Sequence, residues 1–114
     1  MAPSQPRKDL PKNLKPYFLA LFSPGERWNQ TDGAEDLPAR QLAFLREQFE
    51  AGTYRSAGPV TDGGAISAMA IIEAASIEKA KEIAMMDPAV VSAHLAVEVH
   101  PTLLPALDEL RVAY

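Results

Sequence analysis

The apolar residues of this chain fall alternately into short unbroken runs and helical stripes. Tyr17-Phe18-Leu19-Ala20-Leu21-Phe22 is one such run, ended by Ser23-Pro24-Gly25, which predicts a buried strand closed by a turn. Residues 26–35 are polar and predict a surface loop. Asp36 is placed to cap a helix that carries Pro38 in its first turn, places Leu42, Leu45 and Phe49 on one stripe and stops at Gly52. Residues 53–57 predict a second strand. Gly58-Pro59 and Asp62-Gly63-Gly64 then form the connection to a third strand over 66–73. Ser76 is placed to cap a second helix, whose Ile77, Ala80, Ile83 and Ala84 make an apolar face small enough to lie close on a sheet. Asp87 caps a short turn over 88–91, and residues 95–99 predict the fourth strand.

Ala57-Gly58-Pro59 and Asp87-Pro88 thus bracket a strand and a helix and divide the sequence into two similar halves. The order is β-α-β-β-α-β, an α+β, ferredoxin-like pattern in which a four-stranded antiparallel sheet carries two helices on one face. The folded part is expected over 16–101. Residues 1–15, rich in Pro and Lys, are expected to be a mobile tail, because they offer little apolar surface to offset the entropy of ordering. Residues 102–114 are expected to be an extension with a short helix, on which Leu103, Leu107 and Leu110 form a stripe.

Side chains alternate between the two faces of a strand, and the helices need only one face. In the third strand Ala68, Ala70 and Ile72 lie on one side, yet Met69 and Ile71 on the other are also apolar. The first strand is apolar on both sides as well. A solvated face should carry polar residues, so the expected partner is a second sheet from another copy of the chain: a homodimer.

The bulk composition narrows the function classes. With 114 residues, 47% hydrophobic, the chain is sized for one domain. Eleven basic against fifteen acidic residues leave a net charge of -4, which argues against a nucleic-acid partner. No apolar stretch reaches membrane-spanning length, so no membrane partner is expected. The absence of cysteine excludes thiolate chemistry and fits a reducing, cytoplasmic setting.

Candidate chemistry gathers on the fourth strand, where His94, Ala96, Glu98 and His100 share one face, two residues apart by roughly 6.5–7 Å. This polar row would line a cleft between opposed sheets, suited to acid–base work or ligand orientation. His94 also reads as a surface residue before the strand, and Glu98 and His100 as edge or interface residues. His94 and His100 lie about 20 Å apart on a straight strand, too far to share a metal within one chain, and no metal is expected. Arg40 and Gln41 lie near the start of the first helix, where exposed amides favour an anionic group, although most such residues form a solvated helix face. Asp87 reads first as a helix cap. The glycines form no phosphate loop, no serine sits in a nucleophile elbow, and no cofactor is expected.

Taken together, the first strand with Pro24-Gly25 and Trp28, Gln41-Leu42-Ala43-Phe44-Leu45, Gly52, Ala57-Gly58-Pro59, Ile71-Ile72-Glu73, residues 76–84, Asp87-Pro88-Ala89-Val90 and Val97-Glu98-Val99-His100-Pro101 resemble the YCII-related family of dimeric α+β barrel proteins. The resemblance runs over residues 17–101. It implies a ferredoxin-like protomer packed sheet to sheet on a partner, and one branch of the family resembles a dehydrochlorinase of a chlorinated hydroxyquinol with a proposed His-Asp pair. That aspartate falls on Asp87, whereas the histidine falls on Gln41, which cannot exchange a proton near neutral pH. His100 is then the expected proton carrier, with Asp87 as its acid and Gln41, Arg40, His94, Glu98 and Trp28 as ligand-binding candidates. The expected function is a homodimer binding a small organic molecule, with cofactor-independent lyase or isomerase chemistry; the alternative is a non-catalytic binding or accessory protein.

Overall fold

The computed structural model describes residues 14–107. The elements run β1 (Leu14–Pro24), α1 (Leu37–Ala51), β2 (Tyr54–Pro59), β3 (Ala68–Ile72), α2 (Ile77–Met85), α3 (Pro88–Val91) and β4 (Leu95–Pro105). The strands form one antiparallel sheet in the order β2-β3-β1-β4. This is the α+β, ferredoxin-like βαββαβ arrangement expected from the pattern, with β1 and β3 central. The core is the helix-covered face of the sheet, where Ala20, Phe22, Tyr54, Ala70, Ile72 and Val99 meet Phe44 of α1 and Ala80 and Ala84 of α2. The two alanines are fully buried, so α2 lies close on the strands as its small residues suggested.

Helix ends follow their local chemistry with one exception. Ser76 accepts the Lys79 N–H at 3.1 Å, and Asp87 accepts the Ala89 N–H at 2.8 Å. Gly52 ends α1 with a left-handed φ of 78°. Asp36 makes no side-chain cap to α1; its carboxylate pairs with Arg40 Nε at 3.3 Å instead. The expected α1 stripe also rotates. Leu42 is exposed, and the buried face is built from Phe44 and Gln48 with Leu45 and Phe49 beside them.

The largest departure is the length of β1 and β4. They pair from Leu14↔Pro105 to Pro24↔Leu95, so the boundaries at 15/16 and 101/102 fall inside strands, and residues 102–105 are strand where a helical extension was expected. Pro101 concealed this. A proline is tolerated on an edge strand such as β4, which bonds on one side only. Beyond Pro105 the chain turns back over the uncovered face: the Leu107 N–H donates to the Tyr17 hydroxyl and its carbonyl accepts from Arg55 Nη2, both at 2.7 Å. Tyr17 is buried there, with Lys15 Nζ 5.7 Å from its ring centroid; Lys15 Nζ pairs with Glu73 at 3.0 Å, and Glu73 lies 3.9 Å from Arg55 Nε. The rest of the expected tail and C-terminal helix, including Leu110, lies outside the described residues. Among the described residues, no helix is long and apolar enough to cross a membrane.

Candidate functional site

A cavity of about 190 Å³ opens between α1 and the β2 side of the sheet. Its floor is made of small residues, Ala57, Gly58, Ala68 and Ala70, which leave space where larger side chains would fill it; Phe22, Leu45 and Leu95 supply apolar walls. Asp87, Gln41 and Tyr54 are the polar side chains of the lining.

A β-bulge decides which side chains of β2 point toward this cavity, Gly58 lining it through its backbone alone. Tyr54 pairs with Ile72, but Ser56 pairs with Ile71, so Arg55 is the extra residue. Past the bulge the alternation changes phase, and Ala57 and Pro59, opposite Ala70 and Ala68, join Tyr54 on the helix side. Regular alternation would have sent Ser56 and Gly58 there. Sequence reading missed Tyr54 as a site residue, since a bulge reflects tertiary packing and had no local signal.

Asp87 sits at the N-terminus of α3, 2% exposed. One carboxylate oxygen accepts the Ala89 N–H, and Gln41 Nε2 lies 3.4 and 3.3 Å from the two oxygens. Burial pushes the Asp87 carboxyl above its ordinary value, because ionisation in an apolar wall forfeits hydration; the Ala89 and Gln41 hydrogen bonds oppose this by favouring the ion. Burial, with a smaller contribution from the Asp87 charge, pushes the Tyr54 hydroxyl far above its ordinary range. Tyr54 therefore remains a neutral phenol at any physiological pH.

The structure joins Gln41 to Asp87 and separates His100 from both. Val99 points into the core, so His100 next to it in β4 points to the opposite face of the sheet. There it is half exposed, with Nε2 3.4 Å from Glu98 Oε2, and neither residue lines the cavity. The expected His100–Asp87 acid–base pair is thus divided by the sheet itself. His94 is a structural tie: its Nδ1 is 2.7 Å from Ser92 Oγ and its Nε2 is 2.6 Å from the Gln30 carbonyl. That bond fastens the loop after β1 to the start of β4. Trp28 is exposed on this loop, and Arg40 is held by Asp36 on the surface of α1. Among the described residues, no three His, Asp or Glu side chains gather as a metal-ligand set.

No protein-family model matches the chain, and no curated protein matches it. Among solved structures, the chain is similar to 5-chloro-2-hydroxyhydroquinone dehydrochlorinase (TftG) from Burkholderia phenoliruptrix AC1100, in its complex with 2,5-dihydroxybenzoquinone. The two share 24% sequence identity with a TM-score of 0.53, over 74% of this chain and 90% of that one. At this identity the likeness establishes a shared α+β fold.

Proposed function

We propose that the chain binds a small, largely apolar organic ring in the Asp87 cavity and that Asp87 is the group that moves its proton. The observation that carries this reading is a buried carboxyl in an apolar cavity whose affinity for a proton is raised by its surroundings. A carboxyl shifted upwards is a better base when ionised and is closer to holding a proton at the pH where it works. As carboxylate it accepts a proton from the ring; as acid it returns that proton to another ring atom, which is an isomerisation. If an anionic leaving group departs after the proton is taken, the net reaction is elimination of an acid. Neither route needs an external oxidant or reductant.

Two further points support placing the chain near the YCII-related proteins. Gln41 and Asp87, which fall on the two positions of the family's proposed pair, are in contact. The fold is shared with a dehydrochlorinase solved with a dihydroxybenzoquinone. The uncovered sheet face, where Leu19 pairs with Ile71 and Leu21 with Met69, supports a homodimer in which a second copy covers these residues. The cysteine-free composition supports a reducing compartment, the cytoplasm.

One observation favours the rival, a binding protein without turnover. Gln41 holds the carboxylate but cannot relay a proton, so Asp87 works without an ionisable partner. The two readings separate by thermal-shift screening of phenols, lactones and small ketones, followed by product analysis on every compound that binds. The catalytic reading expects product, and expects Asp87→Asn to lower turnover by about 100-fold or more while ligand still binds. Binding with no product from the unaltered protein establishes the rival; undiminished turnover in Asp87→Asn overturns the role of Asp87.

A further inference from the structure

Tyr54 in the lining of the cavity carries a polar atom that proton transfer by Asp87 leaves unused. Tyr54 is 1% exposed, and its hydroxyl is buried with no hydrogen-bond partner among the described residues. Its ring is well occupied: Phe44 and Phe49 meet it edge-on, with centroids 5.8 and 6.5 Å away. Phenylalanine would make the same ring contacts, so packing does not account for the hydroxyl. A buried O–H left without a partner is costly. The neighbouring carboxylate does not satisfy it either, since the hydrogen bonds to Asp87 come from Ala89 and Gln41. Because this phenol stays protonated, its O–H is a donor that an acceptor atom of a bound molecule would satisfy.

The rest of the lining constrains charge. Among the described residues it contains no Lys, Arg or His, and its one charged group is Asp87. A phosphate, sulfate or carboxylate would meet that acid with no counter-charge, at the full cost of burying an anion. A volume of about 190 Å³ is comparable with the ~150 Å³ apolar cavity that takes up one benzene. It suits a single ring with small substituents.

We infer that the cavity selects an uncharged six-membered ring bearing two oxygens, a hydroxyl that donates to Asp87 and a second oxygen that accepts the Tyr54 hydroxyl proton. This rests on the Asp87 cavity being the binding site. A protonated amine would satisfy Asp87 but has no lone pair to offer Tyr54. A single hydroxyl reaches both groups only by donating to Asp87 and accepting from Tyr54 at one shared oxygen, whereas two oxygens give each group its own partner. Tyr54 is therefore the specificity-determining residue, separating rings with two oxygens from rings with one.

The test is calorimetric titration of the protein, Tyr54→Phe and Asp87→Asn with the three benzenediols, phenol, benzoate and benzylamine. At least one benzenediol is expected to bind the unaltered protein about tenfold or more tightly than phenol. Tyr54→Phe should erase that advantage and leave phenol affinity unchanged, whereas Asp87→Asn should weaken both; benzoate should not bind. Because the hydroxyl has no partner in the free protein, Tyr54→Phe should melt no lower than the unaltered chain. A benzenediol affinity unchanged within twofold in Tyr54→Phe overturns this inference alone, provided Asp87→Asn still weakens binding. A loss of several degrees in the melting temperature of unliganded Tyr54→Phe also overturns it, by revealing a structural partner for the hydroxyl. If none of these rings binds the unaltered protein, both this inference and the Asp87 site fall.

Discussion

Asp87 serves as a helix cap and as the one charged group of a cavity, and the two roles pull its chemistry in opposite directions. Capping favours the carboxylate, because the Ala89 N–H donates to it; burial favours the neutral acid and is the larger effect. The consequence for stability has a definite sign. A carboxyl whose folded-state pKa lies above its ordinary 3.8 binds more protons in the native than in the unfolded chain. Stability must then fall as pH rises from about 3.8 through the raised value, and level off above it. Asp87→Asn keeps an oxygen for the Ala89 N–H and removes the titration. Its melting temperature relative to the unaltered protein is expected to climb across that window and then plateau. A difference that stays flat from pH 3 to 8 would show that burial does not raise this group. In the sequence Asp87 was legible as a cap, and the family resemblance marked it as an acid; its burial, which sets the chemistry, was not.

At the scale of elements, the site depends on how loops and strand ends are fastened. Gly25 follows β1, and its N–H donates to the His94 carbonyl at 3.0 Å, while the Arg27 N–H donates to Ala93 at 2.8 Å. A Cβ on Gly25 would stand 2.3 Å from the Ala93 carbonyl oxygen, a backbone atom that cannot swing aside. Gly25→Ala is therefore expected to cost about 1–3 kcal/mol, in line with other overpacked sites, measured by chemical denaturation. An unchanged midpoint would mean that this corner yields without cost. The same corner explains His94. The polar row it shares with Glu98 and His100 marked it as a site candidate, but both ring nitrogens are engaged in tying the corner together. Strand ends were the least legible elements, because pairing partners decide them: β4 continues through Pro101 and Thr102 since Phe18 and Tyr17 lie opposite them in β1.

For the whole molecule, the decisive feature is that, among the described residues, helices cover the sheet on one side only. Leu19, Leu21, Met69 and Ile71 lie on the other side in two cross-strand pairs, with His100 and Glu98 opposite Leu19 and Leu21 on β4. In the proposed homodimer these four apolar residues lie at the centre of the contact. Light scattering at micromolar concentration is expected to give twice the chain mass, and Ile71→Lys to give a monomer or an unfolded chain, since an ammonium buried there loses hydration without a counter-charge. A monomeric unaltered protein would sink the dimer.

The alternation of apolar runs and stripes was enough to specify the order β-α-β-β-α-β, the antiparallel four-stranded sheet and its helix-covered face, because period and turn chemistry are local properties written residue by residue. Ser76, Gly52 and Asp87 were legible as helix ends for the same reason. The site was decided only in three dimensions. Gln41 and Asp87 are 46 residues apart, and the closing of α1 over α3 brings them together. The bulge at Arg55 selects Tyr54, Ala57 and Pro59 for the cavity. His100, the proton carrier expected from the sequence, was separated from Asp87 by strand alternation once Val99 had entered the core. A local pattern specifies which face of its own strand a side chain occupies; which distant side chains share that face depends on register, and register is settled by packing between strands.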